Sequence, residues 1–155
     1  MPETRMNLAP QEHEQCARAL FNFTWTLLEK TGRSDDETDL MISAAHASLL
    51  HWHHVGRPVN FARGHWQVSR AYAIAGHGGP AIHHAERCLS ICREEGIGGF
   101  DLAFAYEALA RAHAVAGESA ESRRFLDLAR EAGRKIEDTE EAEHFFEDLH
   151  TVPGW

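Results

Sequence analysis

A seven-residue stretch recurs 41 positions apart: Arg70-Ala-Tyr-Ala-Ile-Ala-Gly76 lies over Arg111-Ala-His-Ala-Val-Ala-Gly117, with five of seven residues identical. Each copy ends on a glycine, and Gly32 precedes the series by 44 residues. A glycine at such a place stops a helix, and a period of this length suits a helical hairpin that stacks on its neighbours. A chain of 155 residues holds three such hairpins and one further helix. The spacing therefore predicts an all-α array of about seven helices, with hairpins at about 10–56, 58–96 and 100–136 and a capping helix at about 138–150. No interior Ser-, Gly- or Pro-rich linker divides it, so one domain is expected.

Punctuation supports these divisions. Pro10 suits a first helical position, and Gly32 closes that segment. Ser34 with Glu37, and Asp138 with Glu141, read as capping boxes that open the second and seventh helices. Asn60, Asp101 and Ser119 read as N-caps of the third, fifth and sixth. Strand formers are scarce, with 5 Val, 6 Ile and 7 Thr, whereas Ala abounds. Ala is the best helix former because it loses no side-chain entropy. The run Ala103, Ala105, Ala108, Ala110, Ala112, Ala114 and Ala116 also suits a helix packed between neighbours on several sides.

Charge and composition exclude some functions. The formal charge is −9, the wrong sign for a dedicated nucleic-acid binder. No apolar run reaches the roughly 20 residues of a membrane span. Met1 to Pro10 does not read as a signal peptide. Three cysteines cannot pair completely, so reduced thiols and a cytoplasmic location are expected. No P-loop, dinucleotide fingerprint, nucleophile elbow or H-E-x-x-H pattern occurs, and no cofactor is expected.

The second and third units resemble the tetratricopeptide-repeat (TPR) family. The third offers Tyr106, Leu109, Ala110 and His113, then Gly117, then Ser122, Leu126 and Ala129. The second offers His65, Val68, Ser69 and Tyr72, then Gly76, then Ala81, Ala85 and Cys88. The resemblance implies a right-handed array whose first helices line a concave groove that holds peptides. Carried over position by position, that groove presents Arg63, Trp66, Arg70 and Ile74, then Phe104, Glu107, Arg111 and Ala114. Asn60, at the start of the third helix, joins these ligand-binding candidates. Arg70 and Arg111 are equivalent positions, and two guanidinium forks match a carboxylate or phosphate. The competing arrangement pairs them with Glu107 or other carboxylates as a solvated wall. A peptide or small acidic ligand in this groove is the first functional expectation, with a protein partner or a second copy of the chain as the occupant's source.

The alternative is a metal-binding protein or enzyme built on a His-rich corner. His53, His54, His65 and Asp101 are its candidates, gathered by stacking at one end of the array. Surface and capping roles compete for the same residues. His84, Cys88 and Cys92 share one helix face, but three ligands would span about 12 Å of helix, too long for one tetrahedral site. Core packing is the reading for that trio. The acidic residues of the seventh helix read as a solvated face.

Overall fold

A computed structural model describes residues 6–155; the start of the Met1–Pro10 segment lies outside them. The described chain is all-α: α1 (Pro10–Glu29), α2 (Asp35–Val55), α3 (Pro58–Ile74), α4 (Gly78–Glu94), α5 (Gly99–Val115), α6 (Ser119–Arg134) and α7 (Thr139–Leu149). Consecutive helices pack on one another, so α1/α2, α3/α4 and α5/α6 form stacked hairpins. The first helices also touch in series, α1 on α3 and α3 on α5. Among the described residues no helix is long and apolar enough to cross a membrane.

At two helix starts the expected polar residue caps the helix, which is the N-cap half of a capping box. Ser34 Oγ accepts the Glu37 N–H at 3.1 Å, and Asp138 Oδ1 accepts the Glu141 N–H at 2.9 Å. Three others begin earlier than their polar residue suggested. Pro58 opens α3, so Asn60 stands one turn inside and turns back to accept the Arg57 N–H at 2.9 Å. Gly99 opens α5, which leaves the Asp101 carboxylate for a side-chain partner. Ser119 is the first residue of α6 rather than its cap, and Glu118 before it reaches His113 at 2.6 Å.

The 41-residue recurrence is visible in the tertiary structure. Gly76 and Gly117 both take the left-handed conformation, at φ 84° and 80°. The next N–H then reaches back in each unit, His77 to the Tyr72 carbonyl and Glu118 to the His113 carbonyl, both at 2.9 Å. This closure satisfies carbonyls that the helix end leaves open. The hairpins are also tied at the same two positions. Ser69 of α3 donates to the Ala81 carbonyl of α4, whereas Ser122 of α6 donates to the Ala110 carbonyl of α5, both at 2.8 Å. The serine has changed helix and the bond has changed direction, but the crossing point is unchanged.

Small residues make the close packing possible. Ala103, Ala105, Ala108, Ala110 and Ala112 bury α5 between its neighbours. Ala114 is half-buried and Ala116 exposed, because α5 emerges at its C-terminal end. A side chain on Gly133 would meet the Phe145 ring at 2.5 Å, so this glycine lets α7 lie close on α6. Cys88 and Cys92 are buried in the core, and all three cysteines are free thiols. Through Phe145 and Leu149, both fully buried, α7 packs on α5 and α6. It also reaches across to α3, where Asp148 meets Arg70.

Candidate binding site on the first-helix face

The residues predicted to line the groove divide into a closed end and an open end. At the closed end, Glu107 is fully buried and accepts three donors. Trp66 Nε1 donates to Oε2 at 3.1 Å; Arg70 Nη2 and Arg111 Nε donate to Oε1 at 3.0 and 2.8 Å. Arg70 also holds Asp148 of α7. Arg111 Nη2 donates to Thr151 Oγ1 at 2.7 Å and to the Asp148 carbonyl at 3.3 Å, and Nη1 donates to the Thr151 carbonyl at 3.3 Å. Burial works against the Arg70 charge, but Glu107 and Asp148 outweigh it and hold its pKa above the ordinary arginine value. Two guanidiniums meet two carboxylates here, so the buried charge is balanced.

The matched arginines thus do come together, as their repeat positions implied. They pair with Glu107, as the competing arrangement had it, but the wall is buried rather than solvated: α7 and the Thr151 segment close over them, and both side chains are about 8% exposed. No register carries helix seven onto the repeat, so the sequence held no signal that Asp148 and Thr151 complete this network.

Toward the N-terminal ends of α3, α5 and α7 the same face opens into a cavity of about 270 Å³. Phe21 and Trp25 of α1 form one wall, and Ala62, Arg63 and Trp66 of α3 the next. Phe100, Asp101 and Phe104 of α5 face them, Cys88 of α4 lines it too, and Glu141 and His144 of α7 complete it. The rings form a continuous series. Trp25 and Trp66 are 5.6 Å apart by ring centroid, Trp66 and Phe104 5.5 Å, Phe104 and Phe100 4.7 Å. His144 follows at 5.9 Å from Phe104. No known family model, curated protein or solved structure matches this chain.

Arg63 stands at the cavity with its charge already matched. Its Nε and Nη2 donate to the two Asp101 carboxylate oxygens at 2.8 and 3.1 Å. The hydrogen bond to Asp101, with Glu141 acting through space, raises the Arg63 pKa further. Trp66 and Phe104 were readable as groove positions. Phe21 and Trp25 were not, because the first hairpin aligns with the others only in shape. Glu141 and His144 belong to a helix whose acids resemble a solvated face, and Phe100 carries no pattern of its own.

The His-rich corner is spread over several helices with His53 between its parts: its ring lies 6.3 Å from that of His54, and it acts through space on His65. His54 stacks on His13 at 4.3 Å, and His13 Nδ1 lies 2.9 Å from His51 Nδ1. His53 packs near Phe61, with ring centroids 6.0 Å apart. Asp101 is held by Arg63 and faces the cavity. His65 joins a different group, sharing a 3.0 Å Nδ1–Nδ1 hydrogen bond with His84. His46 stands beside His84 at 5.3 Å between rings and shares a 2.9 Å hydrogen bond with the Tyr72 hydroxyl. Among the described residues no three His, Cys, Asp or Glu side chains are arranged to hold a metal ion.

The His65–His84 group predicts a pH response. Burial, reinforced by Arg87 on His65 and by His65 and His46 on His84, lowers both pKa values to about 4. Burial lowers that of His46 as well. The folded state therefore binds fewer protons than the unfolded chain between pH 6.5 and 4. The stability from this cluster is fully present above pH 6.5 and is lost as pH falls toward 4. The rings are partly exposed, so solvent screening trims the loss to about 2 kcal/mol. Urea unfolding at pH 7.5 and 5.0 measures it. The difference should shrink by about half in His84→Gln; an unchanged difference would dissociate it from this pair.

Proposed function

We propose that the chain is a TPR-like interaction module which binds a peptide segment across its first-helix face and inserts one side chain into the aromatic cavity. The observation that carries this is the cavity itself. It is concave, walled by aromatic rings from three successive first helices, and edged by a few fixed polar groups. Its volume of about 270 Å³ lies just below the ligand-site range, which starts at roughly 300 Å³, and suits one side chain better than a large cofactor. The repeat period and the turn glycines support the TPR-like reading of the scaffold. A peptide is favoured over a small acidic ligand because Arg63, Arg70 and Arg111 each already hold an internal carboxylate. An acidic ligand would have to displace one.

A random peptide library selected against the protein tests this. Recovered binders should lose at least about tenfold in affinity for Trp25→Ala or Phe100→Ala, the cost of losing one aromatic contact of about 1.4 kcal/mol or more. Both residues are half-buried, and each variant is checked by circular dichroism first. Binders indifferent to both substitutions would place recognition elsewhere.

A further inference from the structure

We infer that the side chain taken into this cavity is cationic, an arginine or lysine of a basic peptide segment. The inference rests on the first-helix face being the binding surface and adds the chemistry of its occupant. Three observations carry it.

The first is the π surface. Trp25, Trp66, Phe100 and Phe104 present adjoining rings to one small space. Aromatic faces attract cations through the ring quadrupole, Trp most strongly. Trp66 already does this inside the molecule: the Arg70 guanidinium carbon lies 5.0 Å from its ring centroid. Its indole N–H is also committed to Glu107.

The second is the charge of the lining. Asp101 and Glu141 are carboxylates, and Arg63 is the one guanidinium among the lining residues. Two hydrogen bonds tie Arg63 to Asp101, which leaves the Glu141 charge in excess at the mouth. An incoming carboxylate would face that excess, whereas an incoming guanidinium or ammonium neutralises it.

The third is the surroundings. Glu140, Glu143 and Glu147 stand exposed on α7, the helix that supplies the Glu141 wall. The whole chain carries −9. A basic segment is therefore steered toward this side of the molecule and an acidic one away from it.

The test uses the full chain and fluorescently labelled pentapeptides, Gly-Ala-Xaa-Ala-Gly, read by anisotropy at low salt up to millimolar protein. Xaa is arginine, citrulline, lysine, norleucine or glutamate. Citrulline and norleucine keep the shape and remove the charge. The arginine peptide should bind at least about tenfold more tightly than the citrulline peptide, and lysine similarly better than norleucine. Glu141→Gln should weaken the arginine peptide about threefold and leave the citrulline peptide unchanged. Equal binding of arginine and citrulline peptides would overturn the cationic assignment while leaving the cavity as a side-chain site. Preferred binding of the glutamate peptide would overturn it in favour of an anion. No binding by any of the five would overturn both this inference and the peptide-binding function. Free arginine methyl ester competing as well as the peptide would assign the site to a small cation and overturn the peptide as its source.

Discussion

Replacing Glu107 with Ala should cost about 3–5 kcal/mol of folding stability, the usual penalty for removing one partner of a buried ion pair. Glu107 is fully buried and is the common acceptor for Trp66, Arg70 and Arg111. Without it, Asp148 alone balances two buried guanidiniums, and the Trp66 N–H loses its acceptor. For a chain of this length the loss corresponds to a fall in melting temperature of roughly 10 °C or more. Glu107→Gln keeps an acceptor for the indole but removes the charge, so it should fall between wild type and Glu107→Ala. Urea unfolding of the three proteins at pH 7.5 reads this order. A loss below 1 kcal/mol in Glu107→Ala would mean that the arginines find other partners and that the network does not organise the closed end.

Phe145→Ala should be comparably severe, about 3–5 kcal/mol, because a fully buried ring leaves a cavity that its neighbours fill only in part. Phe145 meets Phe104 edge-on with centroids 5.0 Å apart. It also occupies the space beside Gly133, where a side chain would collide with its ring. The substitution therefore loosens α7 from both α5 and α6. The cavity should suffer too, since α7 contributes Glu141 and His144. The arginine pentapeptide should bind Phe145→Ala more weakly than wild type even where circular dichroism shows the protein fully folded. Wild-type stability in this variant would show α7 to be an appendage rather than a wall of the site.

Much of the architecture was legible because the same short-range chemistry acts wherever it occurs. The Arg-Ala-x-Ala-x-Ala-Gly recurrence encodes two equivalent helix ends, and both glycines adopt the left-handed turn that closes them. Ser34 and Asp138 cap their helices as such residues do. Asn60 and Asp101 misled for one shared reason. A polar side chain near a helix start can cap the helix or stand inside its first turn, and the choice depends on whether a proline or glycine ahead of it can begin the helix sooner. Pro58 and Gly99 do.

The site was legible in part. Equivalent repeat positions brought Arg70, Arg111 and Glu107 onto one face, and stacking brought Asp101 to Arg63. Their burial could not be read, because it depends on α7, which belongs to no repeat. The histidines misled by adjacency: His53 and His54 have rings 6.3 Å apart, yet His54 stacks on His13 and His53 packs near Phe61, while His46, His65 and His84 come from three helices and meet.

This face is closed at its arginine end, and its aromatic end is proposed to receive the ligand. The four tryptophan indole N–H signals in a two-dimensional ¹H–¹⁵N spectrum test it directly during titration with the arginine pentapeptide. Trp25 and Trp66 line the cavity, whereas Trp52 and Trp155 do not. Saturable shifts of the Trp25 and Trp66 signals are expected, with Trp52 and Trp155 unmoved. Saturable shifts confined to Trp52 or Trp155, or no shift at any indole, would contradict it.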